Sequence, residues 1–128
     1  MSQIRDWMTA SPLTIGRKQT LKQAAEIMHL HEVRHLPVLD GGILVGLLSD
    51  RDIKLVQTLP GVDPAVVLVD EAMTIDVYSV APTVPLTTVA AEMAARRYGS
   101  TVVMERERVI GIFTTVDAMR ALAQTARA

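Results

Sequence analysis

Apolar positions along this chain change period at regular intervals, and each change marks an element. Leu13-Thr14-Ile15 reads as a brief strand. Leu21, Ala24, Ala25 and Met28 then fall at i, i+3, i+4 and i+7, the spacing of one helix face, and Thr20-x-x-Gln23 ahead of them is a capping box. Leu36-Pro37-Val38-Leu39 and Ile43 to Leu48 are apolar runs on either side of Asp40-Gly41-Gly42, which predicts two strands joined by a turn. Ile53 and Val56 return to helical spacing.

The same order recurs at an offset of 65 residues. Tyr78-Ser79-Val80 is the strand; Leu86, Val89, Ala90 and Met93 are the helix face, with Gly99 placed to end the helix. Thr101 to Met104 and Val109 to Phe113 flank a charged tip, Glu105-Arg106-Glu107-Arg108, and Ala118, Ala121 and Leu122 close the unit. The openings match as well: Asp6-Trp7-Met8-Thr9 answers Glu71-Ala72-Met73-Thr74, with no gap from Ile4 to Ile53. This is a tandem duplication of a β-α-β-β-α unit, an α/β (α+β) arrangement. The expected domains are 1–59 and 66–128 with a linker at 60–65, where Pro60, Gly61 and Pro64 break any helix. Either unit alone is too small to bury a good core. The methionines on the helix faces read as core filler.

The most specific repeated stretch is Gly46-x-x-Ser49-x-x-Asp52, answered by Gly111-x-x-Thr114-x-x-Asp117. In each copy a buried strand runs into the N-terminus of a helix, where unpaired N–H groups and the helix dipole favour an anion. The hydroxyl can donate or accept, and the carboxylate can accept two hydrogen bonds from a diol. The same residues also fit a helix cap, in which the hydroxyl accepts from the third N–H and the acid reaches back. Both readings stand, and one hydroxyl can serve both.

Composition narrows the field. Hydrophobic residues make up 49% and charged residues 21%, a core-forming balance, and with 3% aromatics the core must be aliphatic. A formal net charge of −1 recommends neither nucleic acid nor an anionic membrane as partner. No apolar run approaches the ~20 residues of a membrane span, and Met1-Ser2-Gln3-Ile4-Arg5-Asp6 lacks the build of a signal peptide. The absence of cysteine excludes disulfides, thiolate zinc sites and a cysteine nucleophile, and fits a cytoplasmic location.

Taken together, Val33-Arg34-His35-Leu36-Pro37-Val38-Leu39-Asp40, the two glycine–hydroxyl–aspartate motifs and the opening Arg5-Asp6-Trp7-Met8-Thr9 with Pro12 resemble the CBS domain, named after cystathionine β-synthase. The arrangement is similar to the tandem pair called a Bateman module, in free-standing bacterial proteins of the acetoin-utilisation type. The resemblance implies two repeats packed about a pseudo-twofold axis, with clefts that bind adenosine-containing ligands. The aspartate would take the ribose hydroxyls and the Ser or Thr would sit near phosphate. One cleft would join Thr114 and Asp117 to Thr14, Ile15, Val33, Arg34 and His35, with Arg51 reaching the same space. The other would join Ser49 and Asp52 to Ser79, Val80, Gly99, Ser100 and Thr101. Two departures stand out: Val102 replaces the proline seen at Pro37, and Gly99-Ser100 replaces Arg34-His35. On that ground the Asp117 cleft is expected to be the tighter one for a phosphorylated ligand.

The function expected is regulatory sensing of an adenine nucleotide, AMP, ADP or ATP, with no catalytic residue, no metal and no cofactor beyond that ligand. The alternatives are a structural homodimerisation module with no ligand, or a binder of S-adenosylmethionine or NAD. An enzyme is disfavoured because no nucleophile recurs with a base, and His29 and His31 on one helix face different ways. A homodimer is expected, with Ile53, Val56, Met119 and Leu122 as candidate interface residues.

Overall fold

Thr20 starts the first long helix as its sequence requires: the Gln23 N–H donates to Thr20 Oγ1 at 3.2 Å, and Gln23 Oε1 accepts from the Thr20 N–H at 2.9 Å. The computed structural model describes residues 2–125. In chain order it contains β1 (Thr9–Ala10), β2 (Ile15–Gly16), α1 (Leu21–His31), β3 (His35–Asp40), β4 (Ile43–Ser49) and α2 (Asp50–Gln57). Then come β5 (Ser79–Val80), α3 (Leu86–Arg96), β6 (Ser100–Glu105), β7 (Arg108–Thr114) and α4 (Thr115–Thr125). Among the described residues no helix is long and apolar enough to cross a membrane.

The chain divides into two compact units, and their limits are not those of the sequence repeats. One unit is Leu13–Val77; the other takes the chain up to Pro12 and from Tyr78 onward. The first holds a three-stranded sheet in the order β2-β3-β4, the second a four-stranded sheet in the order β1-β7-β6-β5. In each, a short parallel strand and an antiparallel hairpin reproduce the expected β-α-β-β-α order.

The stretch expected as a linker lies inside the first unit. Leu21 N–H donates to Val67 O at 2.9 Å and Lys22 N–H to Pro64 O at 3.1 Å, so residues 64–67 satisfy the free donors at the start of α1. Arg17 and Lys18 anchor the chain at Asp70: Arg17 Nε lies 3.2 Å and Lys18 Nζ 3.0 Å from Asp70 Oδ2. Lys18, with Arg17 next, holds the Asp70 carboxyl below the ordinary carboxylate range. In the second unit the chain's opening plays the same part at α3, with Leu86 N–H donating to Ser2 O at 3.0 Å and Ile4 N–H to Val84 O at 2.8 Å. Each unit is thus completed by the segment that precedes the other repeat, and the chain crosses between units at Pro12–Leu13 and Val77–Tyr78.

Each unit has its own core; the first is aliphatic, while the second, contrary to the expectation of a wholly aliphatic interior, includes Phe113 with Trp7, Tyr78 and Tyr98 packed against it. Leu21, Ala24, Met28, Leu36, Val38 and Leu48 pack together in the first, and Ile4, Val89, Met93, Val103 and Phe113 in the second. Met28 and Met93 are both buried, as the helical spacing implied. The end of α3 differs from expectation. Arg97, with φ of 59°, takes the left-handed closing position, and Gly99 falls beyond it. Glu32 does the same for α1 at φ 54°, so neither helix uses the glycine that this position favours.

Candidate functional site

Two strand-to-helix junctions carry the repeated motif, and each begins with a glycine forced by a methionine. A Cβ on Gly46 would collide with the Met73 thioether and stand 3.0 Å from Thr74 O. Leu47 and Thr74 exchange backbone hydrogen bonds of 2.9 Å in both directions, which holds Met73 in that place. In the second unit Met8 lies against Gly111, because β1 pairs antiparallel with β7, Thr9 opposite Ile112 and Ala10 opposite Gly111. The glycine of the motif therefore admits a covering side chain, and the Met-Thr at each repeat's opening supplies it.

At the end of β4, Ser49 caps α2. The Asp52 N–H donates to Ser49 Oγ at 3.1 Å and the Ser49 N–H to Asp52 Oδ2 at 2.9 Å, a reciprocal box. Both residues are half-buried, and among the described residues Asp52 Oδ1 receives no hydrogen bond. This junction has kept acceptor capacity.

The junction at the end of β7 is more fully hydrogen-bonded. Asp117 is 3% exposed. Its Oδ2 accepts from the Thr114 N–H at 2.9 Å and from Thr114 Oγ1 at 3.2 Å. Its Oδ1 accepts from Arg120 Nη1 at 2.9 Å and from Thr9 Oγ1 at 3.2 Å. Asp117, expected to accept a diol, is thus already hydrogen-bonded to Thr9 and Arg120 through Oδ1. Sequence reasoning missed both partners. The i,i+3 spacing of Asp117 and Arg120 was a usable signal, whereas Thr9 is brought in by a pairing that joins the two ends of the chain. Leu55, one repeat earlier than Arg120, cannot make the corresponding ion pair.

The remaining candidates fall into two groups. In the first unit Ile15 is buried opposite Val38, with half-buried Thr14 before it, and Val33 packs on the core. His35 pairs with Ser49 across β3 and β4, and the Asp50 N–H donates to Arg34 O at 2.9 Å. Arg34, His35, Ser49 and Asp52 are therefore close neighbours. Burial pushes the His35 imidazole below its ordinary value; Asp50 and Asp52 oppose that, and Arg34 and Arg51 add to it. Arg34 and Arg51 are both exposed.

In the second unit Ser79 and Val80 pair with Val102 and Val103, and Ser100 lies opposite Thr114. Val102, in the place of Pro37, donates its N–H to Tyr78 O at 3.0 Å, a bond that proline cannot make. The hydroxyls of Ser100 and Thr101 are buried, and neither has a hydrogen-bond partner among the described residues. Gly99 O accepts from the Thr115 N–H at 3.3 Å, as Arg34 O does from Asp50.

The family model of the CBS domain matches residues 4–57 and again 69–124. This chain belongs to the CBS domain family. It is 32% identical over 117 residues to the CBS domain-containing protein YhcV of Bacillus subtilis, covering 91% of this chain and 83% of that one. Among solved structures it is similar to an acetoin utilization protein, AcuB, from Vibrio cholerae, with 30% identity, a TM-score of 0.86 and coverage of 100% and 98% of the two chains. It is also similar to the CBS domain pair of protein MJ0100, solved with 5′-methylthioadenosine and S-adenosyl-L-methionine, at 25% identity, a TM-score of 0.86 and 98% of both chains.

Two other surfaces of these CBS repeats bear on assembly. A groove of about 500 Å³ runs between α1 and α2, floored by Met28, Val33 and Ile53 and rimmed by charged groups including Arg34, Asp50 and Lys54; neither Ser49 nor Asp52 lines it. Ile53 is 4% exposed and Val56 packs on the same core, so the expectation that they form an interface is corrected: both serve their own unit. Met119 and Leu122, at 65% and 60% exposed, do face outward, with Val116 beside them on α4 at 60%.

Proposed function

We propose that this CBS protein is a regulatory module that senses an adenosine-containing ligand and performs no chemistry on it. The observation that carries the reading is the similarity over 98% of the chain to a CBS pair solved with two adenosine compounds. The residues give that likeness a physical basis. Asp52 offers a carboxylate oxygen to a ribose diol, Ser49 closes the helix end beside it, and Arg34 supplies planar donors suited to phosphate. AMP, ADP and ATP are the first candidates, with S-adenosylmethionine and NAD as the alternatives. A cysteine-free chain suits a reducing cytoplasm, where such ligands are abundant.

A thermal-shift screen against these five compounds tests the proposal. A ligand that binds only the folded state, present at ~100 times its dissociation constant, adds about 2.7 kcal/mol and raises the midpoint. No shift with any of the five contradicts it.

The exposed stripe of Val116, Met119 and Leu122 favours a second property, self-association through α4. Sedimentation at falling concentration checks it: a dimer is expected, and a monomer at all concentrations contradicts it.

A further inference from the structure

We propose that copies of this chain join through unlike faces: the apolar ridge of α4 on one copy seats in the α1–α2 groove of another. This contact rests on the self-association through α4 and names the surface that receives the helix.

The duplication supplies its own control, because equivalent positions can be compared between the two units. Lys54 and Gln57 line the groove in the first unit, and Met119 and Leu122 stand 65 residues later in the second. Val33 lies on the groove floor; Tyr98 holds that place in the second unit, packed on its core with the Tyr78 ring 5.5 Å away. Arg51, exposed on α2, is answered by exposed Val116. The same face is thus a hollow with a charged rim in one unit and an apolar ridge in the other. Exposed apolar side chains at i, i+3 and i+6 are the anchors with which a helix enters a groove. The floor of Met28, Val33 and Ile53 offers them apolar contact.

Charge selects the groove, and not a second α4, as the partner. Among the described residues Arg120 is the exposed charge of α4, since Asp117 is buried. Laying α4 on α4 would bring two arginines together with no exposed carboxylate on either helix, a like-charge contact. Arg120 uses Nη1 for Asp117, which leaves the other guanidinium donors for an acceptor on a partner. The groove has Glu32 and Asp50 on its rim. Glu32 is exposed, and its carboxylate makes no hydrogen bond or ion pair among the described residues; Asp50 meets Lys54 at 3.7 Å. A groove set against a groove would leave both floors uncovered. Every copy carries one ridge and one groove, so a dimer that makes the contact twice leaves neither exposed.

Sedimentation equilibrium of the wild type, a ridge variant, a groove variant and an equimolar mixture of the two variants tests the pairing. Leu122→Glu breaks the ridge, and Met119→Glu repeats that test at a second position. Glu32→Arg combined with Gln57→Trp reverses a rim charge and obstructs the groove. These positions are exposed, and Arg97 already holds the left-handed backbone that Glu32 holds, so the variants keep their fold, which melting curves check. The wild type should be a dimer, and each variant should raise the dissociation constant about tenfold or more. The mixture should associate more tightly than either variant alone, because the ridge variant keeps a sound groove and the groove variant a sound ridge. A groove variant that dimerises as the wild type does would overturn the unlike pairing and leave self-association through α4 standing. A mixture no tighter than its parts would also overturn it. A wild type that is monomeric at every concentration contradicts self-association itself.

Discussion

Met8 lies against Gly111 in the same way that Met73 lies against Gly46, although each methionine opens one repeat and each glycine sits in the other. The contact explains an exchange that also runs through the backbone, with β1 on β7 and Thr74 on Leu47. A cut at residue 60 would part each unit from the opening segment that completes it.

Gly46→Ala and Gly111→Ala should each destabilise by roughly 1–3 kcal/mol, the usual cost of forcing a methyl into a filled contact. Adding Met73→Ala to Gly46→Ala should recover part of that loss, because the collision partner is gone. Urea unfolding of the four proteins in this cycle checks it, and additivity of the two changes would refute the contact.

The hairpin tips offer a stabilising change. Gly41 and Gly42 adopt φ of 57° and 86°, while Arg106 and Glu107 hold 51° and 65° at the equivalent places. Both tips have the positive-φ pair of a type I′ turn, which favours Asn-Gly. Replacing Arg106-Glu107 by Asn-Gly should stabilise by ~1 kcal/mol with little change in the denaturant slope. A lower midpoint would count against it.

Acid should weaken the Leu13–Val77 unit through His35. Burial depresses its value below 6.5, against the pull of Asp50 and Asp52 and with the push of Arg34 and Arg51. A buried neutral histidine contributes stability that is complete above the unfolded value and lost as pH falls through the folded one. The urea midpoint should therefore drop between about pH 7 and pH 5, and drop less in His35→Gln. Identical profiles for the two proteins would rule out His35 as the source.

The tandem β-α-β-β-α order was legible because period and capping are local: Leu21, Ala24 and Met28 occupy the core their spacing assigns, and Thr20 caps as its box predicts. The exchange of openings was not, since Met8 and Met73 match the repeats equally well whichever sheet they cover. The end of α3 was misread because residue type and helix length pointed to different positions. Gly99 has the right identity, but Arg97 has the right distance from the last buried turn at Met93. At the site, both caps were visible from sequence. The bond from Thr9 to Asp117 was not, because the two stand 108 positions apart.

Amide chemical-shift mapping during titration with AMP tests the central claim, ligand sensing at the Ser49–Asp52 junction, most directly. Saturable shifts that include Arg34, His35, Ser49 and Asp52 are expected in the wild type, and in Asp52→Asn they should need about tenfold more AMP to saturate. Spectra that stay unchanged with AMP and with each of the other adenosine compounds would contradict it.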